Sequence, residues 1–337
     1  MGAITDIPGI KVGHSQDENA LTGCTVILTE EGAVGGVDQR GGAPGTRETD
    51  LLRTSHLVSK IHGILLTGGS AFGLDAVSGV MRYLEEKGIG YNTGAAKVPI
   101  VPAAVIYDLS LGNSKIRPDH NMGYQACLNA SNLPPAEGNA GVGIGASVGK
   151  IFGMSCAMKS GIGTASIEVG GGVIVGAICV VNALGDVVDY KSGKLLAGAR
   201  VLRKGPLKLG KGPVFADTME VFRTYYGRKI LKIMSGSNTV IGVIATNAKL
   251  TKEEANKVAQ MAHNGIALTI RPAHTMYDGD TLFALSTQKR KTDVNIIGAY
   301  AAIAVADAII RAVKLAKESG GLPSCAEISA LEAQSFI

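Results

Sequence analysis

Tryptophan is absent from the 337 residues and aromatics make up only 4% of them, which argues against a site built on large stacked rings. Disulfide frameworks and zinc motifs are missing too. The five cysteines, at 24, 127, 156, 179 and 325, form no Cys-x-x-Cys pair; four lie among apolar or small residues, where buried reduced thiols are expected. The opening MGAITDIPGIKVGHSQ has neither the basic start nor the apolar core of a secretory signal, and Asp6 breaks the myristoylation pattern, so cytoplasmic residence is expected. The longest apolar stretch, IIGAYAAIAVADAII at 296–310, is short for a bilayer and carries Asp307; it reads as a core helix, with no membrane partner expected. Charge of one sign is also scarce. A formal net charge of +5, from 33 basic against 28 acidic residues spread along the chain, does not imply nucleic acid.

Glycine is abundant instead, at 46 residues, and hydrophobic residues reach 46%, enough for a sizeable core shaped by tight turns and close backbone approaches. Strand-like runs alternate with helical ones. CTVILTE (24–30) and GILLTGG (63–69) read as strands, the second followed by a helical SAFGLDAVSGVMRYLEEKG; VPIVPAAVIYDL (98–109) is β-branched, with prolines suited to strand ends or edges. From 138 to 176 the chain is glycine-dense and then enters the apolar GAICVVNALGDVVDY. Residues 191–237 are more polar and lysine-rich, and read as a long surface excursion. TVIGVIATNA is a buried strand, Thr251-Lys252-Glu253-Glu254 a capping box opening a helix to about His263, TLFALST (281–287) a further strand, and 294–318 a long helix. One layered α/β domain, 1–337, is the expected organisation.

Three glycine signatures fail when tested. A P-loop around Gly149-Lys150 has Ile144 in place of its first glycine and Ile151 in place of Ser or Thr. A dinucleotide fingerprint from Gly141 or Gly143 meets Ala146 or Val148 where its third glycine belongs. Gly68-Gly69-Ser70-Ala71-Phe72 sits where a nucleophile elbow would, yet its second flanking glycine is Phe72, and Ser70 reads as a helix N-cap. His274, Asp278 and Asp280 are metal-ligating types at short spacing, against which stands a plain turn before a strand.

The segment MSGSNTVIGVIATNA (234–248) raises a different chemistry. A mid-chain threonine has no base, but if the bond before Thr239 were cut, the new α-amine would lie beside its own hydroxyl, with a reference pKa of about 7.7–8.0. The cut could proceed by attack of that hydroxyl on the Asn238 carbonyl and hydrolysis of the ester, small Ser235, Gly236 and Ser237 allowing the strained turn. On the residues alone, asparagine ending a turn and threonine beginning a strand is the ordinary alternative.

VGHSQDENALTGCTVIL, LLTGGSAFGLDAVSGVM, VPIVPAAVIYDL, KSGIGTAS, NTVIGVIATNA and HTMYDGDTLFALST, in this order over nearly the whole chain, resemble the self-processing L-aminopeptidase/D-esterase family, which includes β-peptidyl aminopeptidases and nylon-oligomer hydrolases. The resemblance implies a four-layer α-β-β-α sandwich like that of N-terminal-nucleophile hydrolases, cut into 1–238 and 239–337 and assembled as a homo-oligomer, usually a tetramer. It implies Thr239 as nucleophile, Asp278 and Asp280 as groups steadying its ammonium and hydroxyl, and Asn182 as donor toward the oxyanion. Tyr107 would lie over the same oxyanion, and Lys159 near the nucleophile. The threonine with paired aspartates looks most like the nylon-oligomer hydrolases, and no metal or organic cofactor is implied. Expected substrates are short peptides, amino-acid amides or linear 6-aminohexanoate oligomers. The rivals are ornithine acetyltransferase-like acyl transfer and a non-catalytic, metal-binding α/β protein.

Overall fold

The computed structural model describes residues 2–204, 207–209, 214–225, 227, 229 and 238–334. Nine strands form its main sheet: β1 (Lys11–Asp17), β2 (Thr22–Gln39), β3 (Thr46–Arg47), β4 (Lys60–Thr67), β5 (Ala103–Val105), β6 (Ile162–Gly170), β7 (Val173–Asn182), β8 (Thr239–Ala248) and β9 (Thr281–Arg290). Their order is β6-β7-β8-β9-β2-β4-β5-β3, with β1 also paired to β2. The main helices are α1 (Ala76–Glu86), α2 (His120–Leu128), α3 (Lys252–Thr269) and α4 (Val294–Lys314).

The long β2 turns this one ribbon into two layers. Its first half, through Leu28, pairs with β1 and β4; after an irregularity between Leu28 and Ala33, residues 34–39 pair with β9. A bulge adds local twist and bend, which lets one strand pass from one layer to the other. Side-chain alternation then fills three interfaces. Ile241, Val243 and Ala245 of β8, with Ile178 and Val180 of β7 and Phe283 and Leu285 of β9, meet Ile27, Ile64, Leu66 and Ala104 between the layers. The opposite faces, with Cys179, Val181, Val240, Ile244, Leu282 and Ala284, are covered by Val258, Ala262 and Ile266 of α3 and Ala301, Val305 and Ile309 of α4. On the far side Val26, Leu28 and Leu65 pack on Val77, Val80 and Leu84 of α1 and on Ala126 of α2. The result is the expected α-β-β-α sandwich, and all five cysteines are buried and unbridged.

Several boundaries differ from the sequence reading. The helix opened by the Thr251 capping box runs to Thr269 rather than His263, because Ile266 and Thr269 keep the buried face. Within 98–109 only Ala103–Val105 joins the main sheet, Val98 pairing instead with Tyr91 in a separate small ribbon, since Pro99 and Pro102 have no amide to donate. Ser70 caps nothing: Gly69 is the cap residue of a 3-10 turn, Ser70–Asp75, that precedes α1. The excursion 191–237 is not wholly at the surface, since Leu195–Ala197 pairs with residues 187–188 and Ala199, Ala216 and Val221 are buried. Ser235, Gly236 and Ser237 lie outside the described residues. The 21-residue α4 is long and apolar enough to cross a membrane by length and composition, contrary to the shorter apolar run; two-thirds of that window is buried within the fold, as a core helix requires.

Candidate active site

Three neighbouring strand ends meet at one edge. β7 and β8 are antiparallel with Asn182 opposite Thr239, so the end of β7 lies beside the start of β8. β8 and β9 are parallel, joined by the α3 crossover, so the loop before β9 reaches the same edge and Asn238 bridges Asp278. Across the sandwich, Ser70 follows β4 and Tyr107 follows β5. Together these ends border a cavity of about 180 Å³ lined by Thr239, Asn238, Pro44, Ser70, Ala71, Val105 and Tyr107 among others. The sequence-predicted Thr239, Asp278, Asp280, Asn182 and Tyr107 are thus brought to one place.

The carbonyl before Thr239 is tightly held. The Thr239 hydroxyl donates to the oxygen of Asn238, and the Gly279 amide donates to the same oxygen at 2.8 Å. Glycine is required at 279 by contact: a Cβ there would lie 2.7 Å from the Ala43 carbonyl oxygen and 2.9 Å from Thr239 Oγ1. The loop is laced to residues 40–43, whose amides at Arg40 and Ala43 donate to the carbonyls of Asp280 and Asp278 at 3.0 and 2.9 Å. Gly41 permits this approach, since a Cβ there would lie 2.2 Å from the Asp278 oxygen.

The two aspartates are held differently. Asp280 Oδ1 accepts from the Val240 amide at 2.7 Å, directly beside Thr239, while Oδ2 accepts from the amide and the Nδ1 of His274 at 3.1 and 2.8 Å. Asp278 Oδ2 accepts from the amide and hydroxyl of Thr275 at 2.9 and 2.5 Å. Burial, and then the Asp280 charge, push the Asp278 carboxyl above its ordinary pKa, opposed by the Thr275 bonds and by Lys150. With its carboxylates and His274 so engaged, the loop does not gather a metal cluster; among the described residues no group of three or more His, Cys, Asp or Glu is disposed to hold one.

Asn182 is fixed on both sides of its amide. Its Nδ2 donates to the Tyr107 carbonyl at 3.0 Å, and its Oδ1 accepts from Lys150 Nζ at 2.7 Å and from the Ser147 amide at 3.2 Å. Lys150 also donates to the Asn182 carbonyl at 3.0 Å. Burial lowers the Lys150 pKa to about 7, with Asp278 and Asp108 acting the other way. Lys159, the lysine implied by the resemblance, faces elsewhere: its Nζ donates to the carbonyls of Gly143, Ala146 and Ser160 at 2.9, 2.9 and 2.5 Å, and burial alone lowers its pKa to about 7.

A sequence profile of Peptidase family S58 matches residues 2–324. The chain belongs to this family. An uncharacterized aminopeptidase of Mycobacterium bovis is 41% identical, over 96% of this chain and 97% of its own length. A 6-aminohexanoate-oligomer endohydrolase of Kocuria sp. is 33% identical, over 92% of this chain and 85% of its own. The L-aminopeptidase D-Ala-esterase/amidase of Ochrobactrum anthropi, described as a variant of the Ntn-hydrolase fold, superposes with a TM-score of 0.70 at 19% identity, covering 99% of this chain and 94% of that one. This S58 chain is an amide-bond hydrolase of that fold.

Two features of the candidate site carry no motif of their own in the sequence. Lys150 enters the sequence patterns only through the failed P-loop, yet a lone lysine within the apolar, glycine-rich GIGASVGKIFG is out of place unless it has buried partners. Asp108 accepts from Thr22 Oγ1 and the Gly69 amide, each at 2.7 Å, and so clamps the turn that carries Ser70. Ser70 itself has a φ of 53°, a left-handed conformation unusual for a side chain with a Cβ.

Proposed function

We propose that the chain cuts itself between Asn238 and Thr239 and then hydrolyses amides through an acyl-enzyme on Thr239. The observation that carries this reading is the uncut junction itself: the Thr239 hydroxyl lies against the carbonyl it would attack, and the Gly279 amide points at that carbonyl oxygen. In the first reaction Oγ1 bonds to the Asn238 carbonyl carbon, the Asn238–Thr239 C–N bond breaks, and the nitrogen takes a proton. Water then hydrolyses the ester to an Asn238 carboxylate and a free Thr239 amine. In each later turnover that amine takes the hydroxyl proton as Oγ1 attacks the substrate carbonyl, and returns it to the leaving amine; water releases the acyl group. Asp280, bonded to the next amide along from Thr239, steadies the new terminus; Asp278, with its raised pKa, exchanges protons beside it. The Asn182 amide, set by Lys150 and Tyr107, donates to the oxyanion, with the Tyr107 ring over the same place.

Linear amide oligomers of the 6-aminohexanoate type, or short peptides and amino-acid amides, are the substrate classes that fit. The named relatives support both, and the narrow cavity with Pro44, Ala71 and Val105 in its wall suits an unbranched aliphatic acyl chain. Mass spectrometry of the purified chain tests the reading. Two pieces joining at Asn238/Thr239, and one intact inactive chain for Thr239→Ala, are expected; an active enzyme with a continuous backbone there refutes it. An amide panel then separates release of 6-aminohexanoate units from cleavage of amino-acid amides.

A further inference from the structure

His274 carries a backbone and a side chain that converge on one atom. Its φ of 57° lies in the left-handed region, and in that conformation both its amide and its Nδ1 reach Asp280 Oδ2. A carboxylate can only accept, so the ring must carry its proton on Nδ1 in this contact. The ring is backed by His263 of α3, edge-on at 4.9 Å between centroids. His263 is fully buried, and its Nε2 contacts the Asp38 carbonyl oxygen at 2.9 Å, which fixes its own proton on that nitrogen. Asp38 is tied in turn to Arg40 at 2.7 Å, in the segment that laces the Asp278–Asp280 loop.

We propose that His274 is a positioning residue for catalysis: by gripping Oδ2 with two donors it orients the Asp280 carboxylate so that Oδ1 stays on the Val240 amide, beside the reacting Thr239. The proposal rests on the Thr239 reading above. His274 acts through Asp280 and need not touch substrate. It explains why a residue with a Cβ occupies a left-handed position where glycine would be easier: glycine would supply the amide but not the ring.

Side-chain geometry gives a clean test. The Nδ2 of asparagine stands the same number of bonds from Cα as the histidine Nδ1, and asparagine, aspartate and glycine all tolerate left-handed backbone. In the full self-cleaved chain, His274→Asn keeps the donor, and kcat should stay within about threefold of the parent. His274→Gly removes it, and kcat should fall about thirtyfold or more with KM nearly unchanged. His274→Asp has the shape of the Asn variant but repels Asp280; it should lose about a hundredfold and regain part of this at lower pH, as one carboxyl protonates. Thermal unfolding identifies variants that fold, and the Asn/Asp pair decides the matter even if the Gly variant does not. Equal kcat in folded Asn and Asp variants, or a folded Gly variant within about twofold of the parent, overturns the proposal. Failure of the Thr239 reading shows separately, as activity that survives Thr239→Ala.

Discussion

Replacing Gly279 by alanine adds one methyl group at the point where the junction is held. The new Cβ would stand 2.9 Å from Thr239 Oγ1 and 2.7 Å from the Ala43 carbonyl oxygen, both inside normal carbon–oxygen contact. The Ala43 side is backbone, and that segment is itself hydrogen-bonded to Asp278, so it yields little. Thr239 Oγ1 or the Gly279 amide must therefore move by roughly half an ångström. Overpacking of this kind costs about 1–3 kcal/mol of stability, which a chain of this size tolerates. The chemical cost is larger: a misplacement of about 1 Å can cost about a hundredfold, so about tenfold is expected here for both self-cleavage and turnover. Denaturing electrophoresis through a time course of expression gives the first rate, and initial velocities on an amide substrate give the second. A folded Gly279→Ala chain that cuts itself and turns over as fast as the parent would refute the steric argument and the placement of the nucleophile with it.

Two lysines make separable predictions. Lys150→Met removes the cation that holds Asn182 Oδ1 and opposes the rise in the Asp278 pKa. It should lower kcat/KM about a hundredfold and move the acid limb of the pH–rate profile upward; an unmoved limb would separate Lys150 from Asp278. Lys159→Met is expected to affect stability rather than chemistry. Its pKa falls from 10.5 to about 7 on folding, so between those values the unfolded chain binds the extra proton, and this lysine's contribution makes stability rise with pH by about 1.4 kcal/mol per unit. Denaturant titrations at several pH values should show the variant's slope lower by that amount through this window, alongside an overall loss from three hydrogen bonds to the carbonyls of Gly143, Ala146 and Ser160, the first two of which keep a backbone amide donor.

How much of this was legible depended on the strength of the local signal. β8 reads at its true bounds because TVIGVIATNA is a nearly unbroken run of small or apolar residues with a capping box close behind it. The apolar run behind β2 ends at Glu30; the strand instead bulges between Leu28 and Ala33 and continues to Gln39, a choice made by pairing with β9 that no local window contains. The helix α2 was missed because only Gly123, Ala126 and Cys127 of its nine residues are buried, too few to set a period. At the site, Thr239, Asp278 and Asp280 stood out through their motifs. Lys150 did not, because its role lies in a partner 32 residues away that only the folded chain supplies, and His274, legible beside the aspartates only as a metal-ligating type, proves in the fold to donate to Asp280.

The position of β8 and β9 in the ribbon has a consequence for any cut before Thr239. Both strands belong to the later piece, yet β8 is zipped along β7 and β9 along β2, which belong to the earlier one. The later piece would be inserted into the earlier one rather than adjoining it, its paired β8 and β9 filling the gap between β7 and β2 in the middle of the main sheet. Scission would then release a terminus without releasing a subunit, and neither product could be withdrawn without unravelling its partner.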